Sequence, residues 1–199
     1  MRSLRVLTQA ALAVALLAMA GAVALADDKK KEDDEKKEPD VVFVPTPQEV
    51  VEKMLELAKV TDKDVVYDLG CGDGRILCTA ARKYKCKAVG WDVDPDRIKD
   101  SEASKKKEKE DIQKLITIKK GDIFKQDLSG ASVITLYLLP DLNVKLVPQL
   151  KKLKAGSRIV SHAFDMKGYK PDKTITVKTK DDTEHTVYLW TIPLKPEKE

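Results

Sequence analysis

Residues that bind metals or cross-link chains are scarce in this sequence, which has three cysteines and two histidines among 199 residues. The cysteines (Cys71, Cys78 and Cys86) are odd in number, lie close together and lack C-x-x-C spacing. This pattern argues against a disulfide framework and against a cysteine zinc site. His162 and His185 alone are too few for a histidine-rich metal site, so we expect no metal ion.

A strong excess of one charge is also missing. Lysine and arginine number 37 and aspartate and glutamate 33, which gives a formal net charge of +4. The lysines are spread along the chain, whereas nucleic-acid-binding proteins concentrate basic residues on one face. We therefore expect no nucleic-acid partner.

Long apolar runs are absent except at the start of the chain. Arg2 and Arg5 precede an apolar run over residues 10–26, which closes on A-L-A. A basic start, an apolar centre and an A-x-A site are the three parts of a secretory signal peptide. We predict a signal peptide over 1–26 and hence export, to a periplasm or another extracytoplasmic space. The alternative is an uncleaved N-terminal membrane anchor, although the run is shorter than the roughly 20 residues of a spanning helix.

Residues 27–40 (DDKKKEDDEKKEPD) contain no apolar residue except Pro39. Such a segment cannot bury enough surface to offset the entropy of ordering it, so we predict a disordered charged linker. The mixed signs of its charges argue against a nucleic-acid-binding arm. We expect one folded domain over 41–199, with no membrane contact beyond the N-terminal segment.

The most informative stretch is V-V-Y-D-L-G-C-G-D-G-R at residues 65–75, in which a β-branched run leads into three alternating glycines. A segment with the apolar spacing of a helix follows it. Strand, glycine turn and helix together form the start of a nucleotide-binding βαβ unit. Gly70, Gly72 and Gly74 let the backbone turn tightly and approach a ligand where a Cβ atom would collide. The helix N-terminus then offers free N–H groups.

The spacing of the glycines distinguishes two classes of cofactor. A dinucleotide fingerprint has G-x-G-x-x-G spacing, but Arg75 occupies the position of its third glycine. The acid that precedes the turn, Asp68, suits a ligand with an amino group and no pyrophosphate. S-adenosyl-L-methionine is such a ligand, and we predict it as the cofactor. For three glycines alone, a purely structural turn is the alternative.

Two further acids follow later strands. Asp92 ends the A-V-G-W-D run about 20 residues after the glycines, where an acid can hold ribose hydroxyls. Asp122 follows a short I-T-I strand, within G-D-I-F, and is placed to accept a hydrogen bond from an adenine amino group. A Gly-Asp pair is often only a turn, but this one arrives in register with Asp68 and Asp92.

The rest of the chain alternates strands and helices. An apolar run over 131–139, stopped by Pro140, predicts a central strand covered on both faces. We predict a helix over 143–153, capped by Ala155 and Gly156, and a fifth strand over 157–164. Two alternating segments near the C-terminus predict an antiparallel pair. The predicted fold is α/β, a Rossmann-like doubly wound, mainly parallel seven-strand sheet with an antiparallel C-terminal hairpin.

The segment before the first helix, F-V-P-T-P at 43–47, has two interpretations. Thr46 is suited to cap the helix that Pro47 begins, in which case the segment only starts a packing helix. Its stiff backbone would equally suit a segment lying across the cofactor site. Phe43, Thr46 and Pro47 would then form a substrate or cofactor lid.

Taken together, these motifs resemble those of the class I, seven-strand S-adenosylmethionine-dependent methyltransferases. More narrowly, the chain is similar to the small protein-lysine methyltransferases of mitochondria and archaea. The resemblance covers residues 43–171 and rests on F-V-P-T-P, Y-D-L-G-C-G-D-G-R-I, G-W-D-V-D-P, G-D-I-F, T-L-Y-L-L-P and R-I-V-S-H-A-F. The glycine motif is shared by the whole superfamily, whereas V-P-T-P, Y-L-L-P and V-S-H-x-F together are far more specific.

The resemblance implies a set of cofactor-binding residues. The first strand and the glycines surround the methionine part of the cofactor, the second acid holds the ribose and the third the adenine amino group. The implied residues are Asp68, Gly70, Gly72, Asp73, Gly74, Asp92, Asp122 and Ile123.

Three features depart from the family pattern. Phe43 stands where the family usually has tyrosine, so a hydroxyl near the cofactor is missing. Trp91 is bulkier than the small aliphatic residue expected beside the ribose acid. The family's cofactor and usual substrates are cytosolic or organellar, whereas this chain carries an export signal.

The substrate amine is expected at the end of the central strand, at the carboxyl edge of the sheet. The amine must be neutral, because an ammonium has no lone pair, and lysine titrates at about 10.4, so partial desolvation must favour the neutral form. We predict that Tyr137 and the backbone carbonyls beside Pro140 orient the amine, although Tyr137 is equally suited to be a core aromatic. His162 is a weaker candidate for a base, since a histidine on a strand is more often a hydrogen-bonded packing residue.

Two functions follow from these observations. The first is a methyltransferase that acts on a protein with an accessible lysine, or on a small amine. The second is an exported S-adenosylmethionine-binding or scaffold domain without turnover. The three acids Asp68, Asp92 and Asp122 favour the enzyme, and the export signal favours the binding domain. The oligomeric state is not predicted.

Overall fold

The computed structural model of the chain describes residues 43–197. The predicted signal peptide (1–26) and charged linker (27–40) lie outside these residues, as do the first two residues of the predicted domain. Within the described range, none of the helices has the length and apolar character needed to cross a membrane.

Helices and strands alternate along the described chain. The strands are β1 (Val65–Leu69), β2 (Lys87–Asp92), β3 (Ile116–Lys120), β4 (Val133–Leu136), β5 (Arg158–His162), β6 (Lys173–Lys178) and β7 (Glu184–Thr191). The helices are α1 (Gln48–Leu57), α2 (Arg75–Tyr84), α3 (Pro95–Lys106), α4 (Glu110–Gln113) and α5 (Pro140–Leu150), with a 3-10 turn at Ile123–Lys125.

The seven strands form one sheet in the order β3-β2-β1-β4-β5-β7-β6. β1 to β5 run parallel, and β7 is antiparallel to both of its neighbours, β5 and β6. The predicted mainly parallel seven-strand sheet with its C-terminal hairpin is confirmed. Because β1 to β5 are parallel, the loops that follow them meet at one edge of the sheet, which we call the carboxyl edge.

Apolar side chains cover both faces of the sheet, which explains why its central strands show little alternation. On one face, α1 packs on β5 and β7 and α2 packs on β1 and β2, which buries residues such as Met54 and Leu77. On the other face, α5 buries Leu146 and Leu150 together with Trp190 of β7. Each such fully buried side chain contributes about 1.5–3 kcal/mol, so two core layers hold the sheet rigid beneath its carboxyl edge.

The central strand and the helix after it differ in length from the prediction. β4 ends at Leu136, so Tyr137 lies in the connection. α5 begins at Pro140 rather than at residue 143, because proline is well suited to the first turn of a helix, where its missing N–H leaves no bond unmade. The predicted cap at Ala155 and Gly156 is wrong. The helix ends at Leu150, and Gly156 instead has φ +86° in the loop before β5.

Candidate active site

The glycine turn between β1 and α2 forms one side of the carboxyl edge. Gly70, Gly72 and Gly74 have φ values of +79°, +54° and +77°, which glycine adopts without the strain that a side chain brings. The N–H groups of Gly70 and Cys71 both donate to the carbonyl of Trp91, each at 2.9 Å. The turn is therefore fastened to the end of β2, where the ribose acid is predicted.

Close neighbours surround the turn. A Cβ atom added to Gly72 would lie 2.2 Å from the ring of Phe43, and one added to Gly74 would lie 3.1 Å from the Cα atom of Ser101 in α3. The Ser101 hydroxyl also donates to the carbonyl of Gly72, at 2.6 Å. The alternating glycines thus allow an aromatic ring and a helix to pack directly on the turn backbone.

Asp68 lies within β1 and is almost completely buried, with 3 % of its surface exposed. Its side chain accepts a hydrogen bond of 2.6 Å from the hydroxyl of Thr135, its register partner on β4. Burial raises the pKa of Asp68 to about 7, the Thr135 hydrogen bond opposes the rise, and the charges of Asp92 and Asp73 add to it. A cationic ligand group beside this carboxyl would stabilise its ionised form.

Asp92 ends β2 and accepts two backbone hydrogen bonds. The N–H of Gly72 donates to one carboxylate oxygen at 2.9 Å, and the N–H of Asp94 donates to the other at 3.0 Å. Burial raises the pKa of Asp92, while these backbone hydrogen bonds lower it. Each carboxylate oxygen has a further lone pair, so the orientation that the backbone imposes suits a ribose diol.

Asp122 and Ile123 follow β3 on the same edge. Asp122 is buried, and its side chain accepts a hydrogen bond of 2.9 Å from the N–H of Phe124, the middle residue of the 3-10 turn. Ile123 belongs to the apolar cluster that also contains Trp91. The N–H of Gly121 donates to the carbonyl of Asp92 at 2.8 Å. The second and third predicted acids are therefore held on neighbouring loops.

Asp73 forms an ion pair with Arg75. The guanidinium binds both carboxylate oxygens, with Nε–Oδ1 at 3.0 Å and Nη2–Oδ2 at 2.6 Å. Although burial opposes the effect, Arg75 holds the pKa of Asp73 below its usual range. The other arm of Arg75 donates to the carbonyl of Thr46 at 2.9 Å. Asp73 thus orients an arginine that joins the glycine turn to the segment before α1.

That segment, residues 43–47, lies against the glycine turn, and we call it the strap. The prediction that Thr46 caps a helix starting at Pro47 is wrong. Pro47 is itself the cap residue, its carbonyl accepting from the N–H of Val51 at 3.0 Å, and no side chain caps the helix. The Thr46 hydroxyl instead lies 3.1 Å from Nδ1 of His162. Through Phe43 the strap covers the turn.

Tyr137, Pro140 and His162 lie at the ends of β4 and β5. Tyr137 is half-buried, and its ring lies 4.0 Å from the ring of His162 and 6.1 Å from that of Phe164. His162 has no exposed surface, and burial, aided by the nearby His185, lowers its pKa to about 4. His162 is therefore a hydrogen-bonded core residue and too weak a base to deprotonate an amine at neutral pH.

Several residues of the site escaped the prediction. Thr135 supports Asp68, Ser101 supports the turn and Arg75 binds the strap, and none of the three was assigned a role. The signal for Thr135 was present, since it is a polar residue in an otherwise apolar strand. Trp91 is buried with its ring edge-on to Tyr67, 4.8 Å between centroids, so its bulk is accommodated in the core.

The geometry fits a ligand with an ammonium group and a ribose, and comparisons with known proteins agree. Residues 68–173 match the family model of the ANTKMT methyltransferase domain. A protein-lysine N-methyltransferase of Saccharolobus islandicus (strain REY15A) is 47 % identical over 156 residues, covering 77 % of this chain and 95 % of that protein.

Solved structures give the same fold. The crystal structure of an RNA methyltransferase from Salinibacter ruber in complex with S-adenosyl-L-homocysteine is 46 % identical, with a TM-score of 0.69, covering 78 % of this chain and 98 % of that one. A precorrin-6y C5,15-methyltransferase of Geobacter metallireducens, 17 % identical with a TM-score of 0.59, covers 79 % of this chain and 95 % of its own. The latter similarity supports the fold alone. The S. islandicus and S. ruber proteins, both more than 40 % identical to this chain, have names that give different methyl acceptors.

Proposed function

Since this chain belongs to the family of the ANTKMT methyltransferase domain and is an S-adenosylmethionine-dependent methyltransferase, we propose that it methylates the side-chain amine of lysine in a protein substrate. The S. islandicus relative, a protein-lysine N-methyltransferase, supports this acceptor. The alternative of a binding domain without turnover has no support from the S. islandicus and S. ruber proteins, because both are named as methyltransferases.

The observation that carries the proposal is the charge beside the predicted amine site. The first turn of α5 bears Asp141 and the loop after β5 bears Asp165. Both are exposed, and within residues 43–197 neither carboxylate forms an ion pair. Lys145, four residues after Asp141, lies over the ring of Phe124 instead, 3.9 Å from its centroid. Carboxylates at this position attract a lysine-bearing segment and repel the phosphates of RNA.

The two segments that carry these acids are fixed relative to each other. The side-chain N–H of Asn143 in α5 donates to the carbonyl of Asp165 at 2.9 Å and to that of Phe164 at 3.4 Å. Asn143 is fully buried, so these bonds are shielded from water. The first turn of α5 and the end of β5 therefore present their carboxylates from a rigid frame around Tyr137.

When bound, S-adenosyl-L-methionine supplies an electrophilic methyl group on a sulfonium. The chain's own task is to hold a neutral amine in line with it, and positioning of this kind accounts for much of an enzyme's rate enhancement. The carbonyl of Leu139 already accepts from the N–H groups of Leu142 and Asn143 at the start of α5. We therefore assign the orientation of the amine to the carbonyls of Tyr137 and Leu138 and to the Tyr137 hydroxyl.

The proposal is tested with methyl-labelled S-adenosyl-L-methionine and two acceptors, a lysine-rich protein and a structured RNA. The expected label is on the protein, is recovered as methyl-lysine after hydrolysis and disappears when the protein's lysines are acetylated beforehand. The S. ruber relative is named as an RNA methyltransferase, so methylation of the RNA is the competing outcome. Label in RNA and none in protein would overturn the lysine assignment while leaving the methyltransferase in place.

We further propose that residues 1–26 direct export of the chain. Their basic start, apolar centre and A-L-A end support this. N-terminal sequencing of native material should find Asp27 as the first residue. Native protein that retains Arg2 and fractionates with membranes would indicate an anchor, and a cytosolic protein with an intact N-terminus would contradict export.

A further inference from the structure

The two histidines of the chain are hydrogen-bonded to each other beneath the amine side of the site. Nε2 of His162, on β5, lies 2.9 Å from Nδ1 of His185, on β7. The other ring nitrogen of His162, Nδ1, lies 3.1 Å from the hydroxyl of Thr46. Both nitrogens of a fully buried imidazole are thus bonded, and the chain of bonds joins the strap, β5 and β7.

The ring of Tyr137 rests on this imidazole. The two ring centroids are 4.0 Å apart and the planes are inclined by 40°. Tyr137 follows the last residue of β4 and so lies outside the hydrogen-bonded ladder of the sheet. Its ring position is set by its packing against His162 and Phe164 rather than by strand geometry.

Thr46 is the point at which the strap is held from two directions. Arg75, the first residue of α2 after the glycine turn, binds its carbonyl at 2.9 Å, and His162 of β5 binds its hydroxyl. Thr46 is 4 % exposed, and its bond to His162 is buried. One residue therefore connects the cofactor turn to the imidazole on which Tyr137 rests.

We propose that His162 is a positioning residue for methyl transfer: fixed by the hydroxyl of Thr46, it holds the ring of Tyr137 in the orientation that the substrate amine requires. This inference rests on the proposed function, because Tyr137 is assigned there to the amine. It gives a role to the V-P-T-P and V-S-H-A-F motifs, which the cofactor site leaves unexplained. His162 acts here as a neutral imidazole and transfers no proton.

The first test compares two substitutions of the full chain at Thr46. Thr46→Val keeps the shape of the side chain and removes the hydroxyl, so kcat for the lysine substrate should fall by about two- to tenfold, no more than in Tyr137→Phe, with a smaller change in cofactor Kd. Thr46→Ser keeps the hydroxyl and removes a methyl group, and its kcat should lie between those of Thr46→Val and the wild type. Thr117→Val, on the exposed side of the edge strand β3, is the matched control.

A packing role predicts the opposite order. If Thr46 only fills space, Thr46→Val retains kcat and Thr46→Ser loses more, because valine preserves the buried volume. That order, or equal activity of both variants, would overturn the proposal. A second comparison uses Tyr137→Phe: if Thr46 acts through the ring of Tyr137, the losses of kcat in Thr46→Val and Tyr137→Phe should be less than additive when combined. Additive losses would contradict the link.

A spectroscopic test does not depend on methylation. Because the chain has two histidines, its imidazole ¹⁵N resonances are assigned with one variant, His185→Asn. The resonance of His162 Nδ1 should show a hydrogen-bonded nitrogen in the wild type and in Thr46→Ser, and should shift in Thr46→Val. An unchanged resonance in Thr46→Val would overturn the proposal. If the wild type methylates no protein, the proposed function fails, and these resonances still decide whether Thr46 fixes His162.

Discussion

Two aspartates at opposite ends of β1 occupy opposite electrostatic environments. Asp64 precedes the strand and Asp68 lies near its end, and both are buried, with 7 % and 3 % of their surface exposed. Against the effect of burial, hydrogen bonds from Ser132, Arg158 and the N–H of Thr61 hold the pKa of Asp64 below its usual range. Burial raises the pKa of Asp68 to about 7, opposed by one hydroxyl.

The difference shows at which edge of the sheet the protein's own residues neutralise a buried carboxylate. At the amino edge, Arg158 of β5 forms an ion pair with Asp64 and also donates to the carbonyl of Ala58 at 3.0 Å. At the carboxyl edge, the negative charge of the half-buried Asp92 disfavours ionisation of the buried Asp68 and so adds to the rise of its pKa. A cationic ligand would supply the positive charge that Arg158 supplies at the opposite edge.

The largest expected effect is on stability at the amino edge. Arg158→Leu leaves the carboxylate of Asp64 buried without its cation, so the free energy of unfolding should fall by about 3–5 kcal/mol. Urea unfolding followed by circular dichroism measures the change. The double variant Asp64→Leu with Arg158→Leu should recover much of the loss, because no buried charge is left unpaired. A single variant as stable as the wild type would show that the pair does not support the fold.

The contributions of Asp68 and Asp64 to the free energy of unfolding should change with pH in opposite directions. The folded pKa of Asp68 lies above its unfolded value of about 3.9, so the folded protein binds the extra proton between about pH 4 and pH 7. Its contribution to stability is present below pH 4 and is lost as the pH rises to about 7, amounting to at most about 4 kcal/mol. Asp64 behaves oppositely, and its contribution is lost as the pH falls below its unfolded pKa.

The variant Asp68→Asn isolates this effect. Unfolding free energies of the wild type and of Asp68→Asn should diverge as the pH rises from 4 to about 7, with the variant relatively more stable at the upper end, because the amide carries no charge to bury. Parallel pH profiles for the two proteins would contradict the raised pKa of Asp68.

Sequence patterns predicted the strands, the glycine turn and the edge at which the acids meet, because strand spacing and alternation fix faces and ends locally. The same patterns did not show that Asp64 is paired with a cation and Asp68 is not, because the partner of Asp64, Arg158, is 94 residues away in the sequence. The Thr46 bond to His162 spans 116 residues and replaced a local capping prediction that was plausible by composition. Local patterns place a side chain at an edge of the fold, but only the packed fold shows its partner.

A smaller effect is expected for cofactor binding at the second acid. Asp92→Ala removes the carboxylate that two backbone N–H groups orient, and S-adenosyl-L-methionine should bind more weakly by about 1.5–3 kcal/mol, the value of one charge-assisted hydrogen bond. Isothermal titration calorimetry measures the affinity. Asp111→Ala, in α4 away from the carboxyl edge, is the control. Equal weakening in both variants would mean a general charge effect rather than a ribose contact.

The smallest expected effect concerns the amine side alone. Tyr137→Phe removes one hydroxyl, so methylation turnover should fall by a factor corresponding to about 0.5–1.5 kcal/mol. The affinity for S-adenosyl-L-methionine should stay nearly constant, because the acids predicted to bind the cofactor are untouched. Steady-state kinetics and calorimetry on the same preparation measure both quantities. If turnover also holds, Tyr137 is a packing residue, and the carbonyls of residues 137 and 138 alone orient the amine.

The role of Asp68 is tested most directly by the number of protons that the protein releases when the cofactor binds. If the cofactor supplies the positive charge that the carboxyl edge lacks, binding of S-adenosyl-L-methionine must ionise Asp68. Because the pKa of Asp68 in the free protein is about 7, binding at pH 7 should release about half a proton. Calorimetry in buffers of different ionisation enthalpy should therefore give buffer-dependent heats for the wild type at pH 7. That part of the dependence should be absent in Asp68→Asn. Identical proton balances for the two proteins at pH 7 would contradict the account.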